Sequence, residues 1–329
     1  FLHAQAGAGR DKVSLLLNTA WAGAALWTKQ DFEESLGKSE ETGLKIVIGE
    51  KIKLANCLSP KDPAQDRVFL AVQTRGAPGP DPEKVALLRR KGYPVAVLKF
   101  PALPLSAYMQ FMHYVVFGLA YLRNMNFVTQ PSVELYKSIT NRLFESSGGN
   151  VRASADWKRF QSKSVRHRGG ITLYYPFIED PPEGRSAPEI YAQLARRGRY
   201  AELTFFGDLR YSPKGQRLRK ALDRAAEALF RARLKRVVDV YEGPAMNHSY
   251  HEMVIGHGCC FSTVLFAERQ DSLPAVNYTA DYHTAQFLAT QMALAERRRD
   301  VCAIVLKDLE PASLAALDEF FRQAAALLK

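Results

Sequence analysis

The sequence predicts an α/β protein in two parts: a doubly wound, mostly parallel sheet, followed by a second α/β domain. Three observations lead there. Short apolar runs alternate with longer amphipathic segments, the order expected of parallel strands joined by crossover helices. The run Val13–Leu17, apolar but for Ser14, has the composition of a strand covered on both faces. Ser146-Ser147-Gly148-Gly149-Asn150 opens a polar, basic stretch that ends at Gly169-Gly170 and reads as a linker. The domains are therefore placed at 1–146 and 171–329, with 147–170 between them.

Taken in order, the segment before Lys12 reads as the end of a helix. A strand follows at Lys12–Asn18, then a long helix to about Gly37 and a strand at Arg67–Gln73. Asp81-Pro82-Glu83 opens the next helix with a cap, a proline and an acidic first turn, and Gly92 closes it. Pro94–Phe100 is a strand, and Leu105–Arg123 a buried helix. Pro131 suits the first position of another helix, with Thr129 or Gln130 as cap, running to about Ser146. The second domain repeats the style. Strands at Ile171–Tyr175, Tyr200–Phe206, Val237–Tyr241, Phe261–Ala267 and Val301–Leu306 alternate with helices at Pro188–Arg197, Pro213–Arg233, Tyr282–Arg298 and from about Ser313. Ligands of such sheets collect beyond the carboxyl ends of the strands, so the site is expected there.

Composition narrows the function. The 329 residues suffice for two cores, and 47% apolar with 11% aromatic content describes a folded globular chain. No stretch approaches the roughly 18 apolar residues of a membrane helix, and Phe1–Arg10 lacks the pattern of a secretory signal. The four cysteines suggest no disulfide framework, which points to the cytoplasm. A net charge of +11 raises nucleic acid as a partner. The basic clusters (Arg89-Arg90-Lys91, Arg196-Arg197, Arg297-Arg298-Arg299) instead sit where helices end and oppose the macrodipole, without aromatic interleaving. The charge suits steering of an anionic small molecule, with neither nucleic acid nor membrane as partner.

Several residues carry candidate chemistry. Lys137 follows Gln130 by seven residues, about two helical turns, so an amide and an ammonium share a face above a helix start. That is a seat for an oxyanion or a polyhydroxy chain. An ordinary amphipathic helix with a solvated lysine fits the same pattern, and the pattern alone favours it. Glu34 lies late on a helix bearing Trp21, Leu26, Trp27 and Phe32, and a carboxylate with one dry side can serve as a base. Beside Glu33 it could equally be a solvated residue. His248, His251, His257, Cys259 and Cys260 are zinc-ligand types, but no Cys-x-x-Cys pair exists and adjacent strand cysteines diverge, so no metal is assigned. His113, among Phe111, Met112 and Tyr114, reads as a hydrogen-bonded core histidine. The glycine-rich Ala6–Arg10 precedes a strand instead of following one, so the nucleotide-loop reading fails and no organic cofactor is expected.

Two motifs resemble glucose-6-phosphate isomerases. Phe127, a variable pair, Gln130, Val133-Glu134 and Lys137 are similar to the C-terminal signature of that family. Glu34-Ser35-Leu36-Gly37-Lys38 resembles the Glu-Ser-x-Gly-Lys segment of its shorter bacterial members. The likeness is greatest to the isomerase part of transaldolase/glucose-6-phosphate isomerase fusion proteins. It spans nearly the whole chain and is strong at these two motifs. The resemblance implies a sugar-isomerase-like fold and aldose–ketose isomerisation of glucose 6-phosphate to fructose 6-phosphate through an enediol, without cofactor. It implies Glu34 as catalytic base, Lys137 as ring-opening group, and Gln130, Lys38 and Thr129 as substrate-binding residues. It also implies an N-terminal sugar-isomerase domain, here or on a partner chain, that supplies a phosphate-gripping loop, and a homo-oligomer. Neither that loop nor the family's ring-opening histidine, expected about two dozen residues past the glutamate, can be located; Lys45–Arg67 contains no histidine. His248-Ser249 aligns with a His-Ser pair of the fusion proteins. The alternative is a non-catalytic phosphosugar-binding module, regulatory or structural.

Overall fold

Lys12–Leu16 (β1) is the centre of the first sheet of this computed structural model, which describes residues 1–18, 21–39, 43–75, 79–101, 104–243, 247–271 and 280–328. Lys45–Val47 (β2) pairs with it on one side and Arg67–Thr74 (β3) on the other, and Val95–Phe100 (β4) extends β3. All pairings are parallel, in the order β2-β1-β3-β4. Alternation along the strands divides their side chains. Val13, Leu15, Val68, Leu70 and Val72 pack against helices α2 (Ala22–Leu36) and α4 (Leu105–Leu122), with Leu2 of α1 (Leu2–Gly7). Phe69 turns to the other face, where Leu88 of α3 (Pro82–Arg90) and Tyr93 cover it. Asp81 caps α3 by accepting from the Glu83 and Lys84 amides, as its sequence predicts.

The second sheet is mixed, in the order β5-β6-β10-β9-β7-β8. Tyr200–Phe206 (β7), Val238–Gly243 (β8), Cys260–Ala267 (β9) and Asp300–Leu306 (β10) are parallel; Ile171–Tyr174 (β6) and Ser164–His167 (β5) join antiparallel at one edge. Helices α7 (Ala187–Ala195), α8 (Pro213–Ala225) and α11 (Pro311–Ala326) bury Tyr191, Leu222 and Phe320 in one core against Leu203, Phe205 and Ile304. On the opposite face α10 (Ala280–Glu296) lays Phe287 against Phe206 and Phe266, with centroids 6.3 and 5.1 Å apart.

The chain divides into two compact units, Phe1–Pro131 with His248–His257, and Ser132–Asn247 with Gly258–Lys329. This differs from the boundaries read at 147–170. That stretch holds α6 (Ala155–Phe160) and the edge strand β5, and Phe160 is fully buried among Trp157, Tyr174 and Phe287. Its many lysines and arginines mask a few apolar anchors. Helix α5 (Pro131–Ser147) starts at the unit boundary and buries Val133, Tyr136, Ile139 and Leu143. Asn247–Gly256 forms a short helix, α9, whose residues from His248 belong to the first unit.

Candidate functional site

Helix α2 runs antiparallel to β1. Its fifteen residues return the chain by about 22 Å, from the carboxyl end of the strand to the amino ends of its neighbours. The last two turns carry Glu33 and Glu34, about 100° apart around the helix axis. Glu33 is fully buried. Its Oε1 accepts from Lys29 Nζ at 2.7 Å and from the Ile46 amide at 3.1 Å, and Lys45 Nζ stands 3.2 Å away. Lys45 and Ile46 begin β2, and Lys12, Lys45 and Arg67 share one register line, so these contacts fix the level as the strands' amino ends. The sequence reading placed the site at the carboxyl ends. The length of α2 carries Glu34 to the other end of the sheet.

Glu34 points away from that buried cluster and keeps 25% of its side chain exposed. Three groups meet it. The Gln130 amide nitrogen donates to Glu34 Oε1 in a short contact. His248 Nδ1 lies 2.6 Å from Gln130 Oε1 and 3.4 Å from Glu34 Oε1. Gln30 Nε2 donates more weakly to Oε2, at 3.4 Å. The Gln130 amide is thereby oriented, its nitrogen toward the carboxylate and its oxygen toward the imidazole. That orientation requires Nδ1 of His248 to be the protonated nitrogen.

Glycine makes the meeting possible. A Cβ on Gly37 would stand 2.8 Å from the Met253 Cα and 3.1 Å from its amide nitrogen, so the α2 terminus and α9 touch backbone to backbone. Gly256 makes the reciprocal approach to Gly37 and Lys38. Lys38 caps the end of α2, donating to the Glu34 carbonyl at 3.0 Å, and lies 3.6 Å from Glu252 of α9. Burial lowers its pKa, with Glu252 and then Glu34 opposing the shift. Beyond α9, His257 Nε2 reaches Asp11 Oδ2 at 2.9 Å. Burial by itself would raise the Asp11 pKa; the His257 hydrogen bond and the Lys12 charge reverse this and hold it well below the usual carboxylate range. Residues 248–257 are thus pinned to the first unit along their length.

The other sequence candidates fall elsewhere. Thr129 is exposed, and its amide donates to Asn126 Oδ1 at 3.4 Å. Lys137 lies on α5 in the second unit, half-exposed and 2.9 Å from Glu134. His113 is not a core residue. It is 53% exposed, 3.3 Å from Asp31 and edge-on to Trp27, because the buried stripe of α4 runs through Tyr108, Met112, Val116 and Leu119 and leaves position 113 outside. His251 is buried against Tyr250, and no group of three metal-ligating side chains occurs among the described residues. The described cysteines are free thiols. Sequence reading aligned His248 but gave it no role; its Gly37-dependent delivery to Glu34 was visible only as the glycine of Glu-Ser-x-Gly-Lys. A surface cavity of about 370 Å³ at the end of α4 is lined by Phe117, Ala120, Tyr121, Asn124, Met125, Asn126 and Phe127. No helix among the described residues is long and apolar enough to cross a membrane.

No family model and no curated protein matches the chain. Among solved structures it is similar to a hypothetical protein from Thermus thermophilus, with 12% identity and a TM-score of 0.34, over 99% of this chain and 80% of that one.

Proposed function

We propose that this chain is the isomerase portion of a glucose-6-phosphate isomerase-like enzyme, acting in the cytoplasm on a six-carbon sugar phosphate. Its first unit is read as a doubly wound, sugar-isomerase-like domain that works with a phosphate-binding domain on the same or a partner chain, in a homo-oligomer. The observation that carries this reading is the Glu34–Gln130–His248 cluster, in which residues from both motifs hold a partly exposed carboxylate ready for proton transfer. Glu34 takes the proton from C2 of the open-chain aldose. The C–H electron pair becomes the C1=C2 bond, and the carbonyl pair moves to O1 as that oxygen takes a proton from water. Return of the carried proton to C1, with loss of the O2 proton, completes the ketose. Such general-base work contributes about 10²–10⁴-fold in rate.

Glu34→Gln keeps size and hydrogen bonding but removes the base. Conversion of glucose 6-phosphate to fructose 6-phosphate, assayed with and without an added phosphosugar-binding domain, is expected to fall by about 10²–10⁴-fold with little change in substrate affinity. Equal turnover by this variant would move the proton transfer elsewhere. Tight binding of both sugar phosphates without turnover by the wild type would assign the non-catalytic binding role instead.

A further inference from the structure

We propose that the amino-terminal end of the second sheet binds double-helical nucleic acid through its phosphate backbone, independently of the isomerase reading. In the sequence the basic clusters stand apart, each explained by its own helix end. The fold gathers three of them. Parallel strands joined by crossover helices bring the carboxyl ends of the helices beside the strand starts. The stretches 196–199, 231–236 and 297–299 therefore meet at one end of the second unit, and they hold nine arginines, one lysine and no acidic residue. Arg199 and Arg299 directly precede β7 and β10, and Arg236 lies two residues before β8. With strands about 4.8 Å apart, the row β10-β9-β7-β8 spreads these arginines over about 15 Å. Hydrogen bonds tie the group together. Arg236 donates to the Ala195 and Arg196 carbonyls at 2.7 and 2.8 Å, and Arg196 to the Leu327 carbonyl at 3.0 Å. Asp300, 3.4 Å from Arg197, and Glu227, 3.9 Å from Arg231, offset part of the charge. Arg233, Arg297 and Arg298 are exposed, and their guanidinium groups have no hydrogen bond or ion pair among the described residues.

Helix dipoles alone do not call for this arrangement. After α10 the Arg298 amide donates to the Ala295 carbonyl and the Arg299 amide to the Leu294 carbonyl, a helix ending that favours glycine at position 298. Arg298 holds φ +55° there, and Lys235 holds φ +57° just after the π-helical continuation of α8, Ala226–Arg233. Cations thus stand at two positions where glycine would carry less strain. The guanidinium fork matches the oxygens of a phosphate. A duplex presents one charge per about 1.7 Å of axis, an array that suits a row of this length, whereas a sugar phosphate offers one anionic group. Among the described residues no exposed aromatic side chain lies at this end to stack on single-stranded bases, and Leu327 is the one exposed large apolar residue, too little to seat a membrane.

The test is fluorescence anisotropy of labelled DNA and RNA duplexes, titrated with the full chain between about 50 and 200 mM salt. Wild type is expected to bind at least one duplex with a Kd of about 10⁻⁴–10⁻⁶ M at physiological salt and a steep salt dependence. The tighter of the two identifies the nucleic acid. Lys235→Gly with Arg298→Gly should weaken binding about tenfold and flatten the salt slope by about 2, without lowering the thermal midpoint. Arg233→Ala with Arg297→Ala, at exposed side chains, should give a similar loss even where the glycine variant folds poorly. Alanine at Arg89, Arg90 and Lys91 together, on α3 of the first unit, should leave affinity within about twofold of wild type. No duplex binding at low salt, equal weakening by the α3 variant, or unchanged binding by both second-unit variants overturns the proposal. So does tighter binding to single strands or to phosphatidylglycerol vesicles than to either duplex.

Discussion

The inner and outer sides of the last turns of α2 place two neighbouring glutamates in opposite worlds. Glu33 is dry, clamped by two lysines and a backbone amide, with its contacts on the first residues of β2. Glu34 is partly wet, and its contacts are the side chains of Gln130, His248 and Gln30. One helical step of about 100° separates the dry carboxylate from the wet one. An acidic pair read as Glu-Glu in sequence therefore meets two environments, one buried and ion-paired and one open to solvent. On the proposed isomerase reading, catalysis falls to the carboxylate that solvent can reach.

The comparison breaks most sharply at Glu33. Glu33→Gln retains shape but leaves the Lys29 and Lys45 ammoniums facing an uncharged amide in a dry site. Removing one partner of a buried ionic group costs about 3–5 kcal/mol. Urea unfolding should show that loss as a lower midpoint at unchanged slope. A variant as stable as wild type would mean that water reaches the cluster. Glu34→Gln should leave the unfolding midpoint within about 0.5 kcal/mol of wild type, since a partly exposed carboxylate contributes little to stability.

Asp11 sharpens the same contrast through pH. Burial opposes its ionisation, yet His257 and Lys12 depress its pKa in the folded state below the unfolded value of about 3.9. The unfolded state then binds the proton first as pH falls. This stabilisation is complete above the unfolded pKa and is lost progressively below about pH 4, at up to about 1.4 kcal/mol per pH unit. Asp11→Asn should remove that acid-dependent slope from the stability profile. An unchanged acid limb would show that other carboxylates govern acid unfolding.

Much of this fold was legible because local chemistry announced it. Asp81-Pro82-Glu83 and Ser212-Pro213 carry their caps, and both Asp81 and Ser212 accept hydrogen bonds from the first-turn amides. The elements that escaped are those with no amphipathic stripe. From Ser249 to His257 nearly every residue of α9 and its end is buried, so its polar and apolar positions show no helical period. β2 is three residues long and begins with Lys45, whose burial depends on Glu33, twelve positions earlier in the chain. The candidate site was half legible. Motif residues Glu34 and Gln130 come together, while Lys137 lies in the other compact unit and His248 arrives from 118 positions beyond Gln130. Nothing in residue spacing encodes a meeting across that distance.

Gly37 tests whether that meeting depends on packing alone. It lacks a positive φ, with φ −74° and ψ 23°, so a left-handed backbone is not what calls for glycine. The demand for glycine is therefore steric. An alanine methyl would press on the Glu33 carbonyl of α2 itself and stand 2.8 Å from the Met253 Cα, and backbone cannot give way as a flexible side chain can. Gly37→Ala should cost about 1–3 kcal/mol, the usual range for overpacking. Because α9 must move, the displacement should pass to His248 and loosen its hold on Gln130. Amide and imidazole NMR signals of Gln130 and His248 should shift more than those of Asp81 and Ser212, which cap distant helices. Gly256→Ala should do the same from the opposing backbone, since its Cβ would meet Gly37 and Lys38. If both alanines are tolerated with unmoved His248 signals, the close approach of the two backbones is not what delivers the histidine, and Lys38–Glu252 must carry that role by itself.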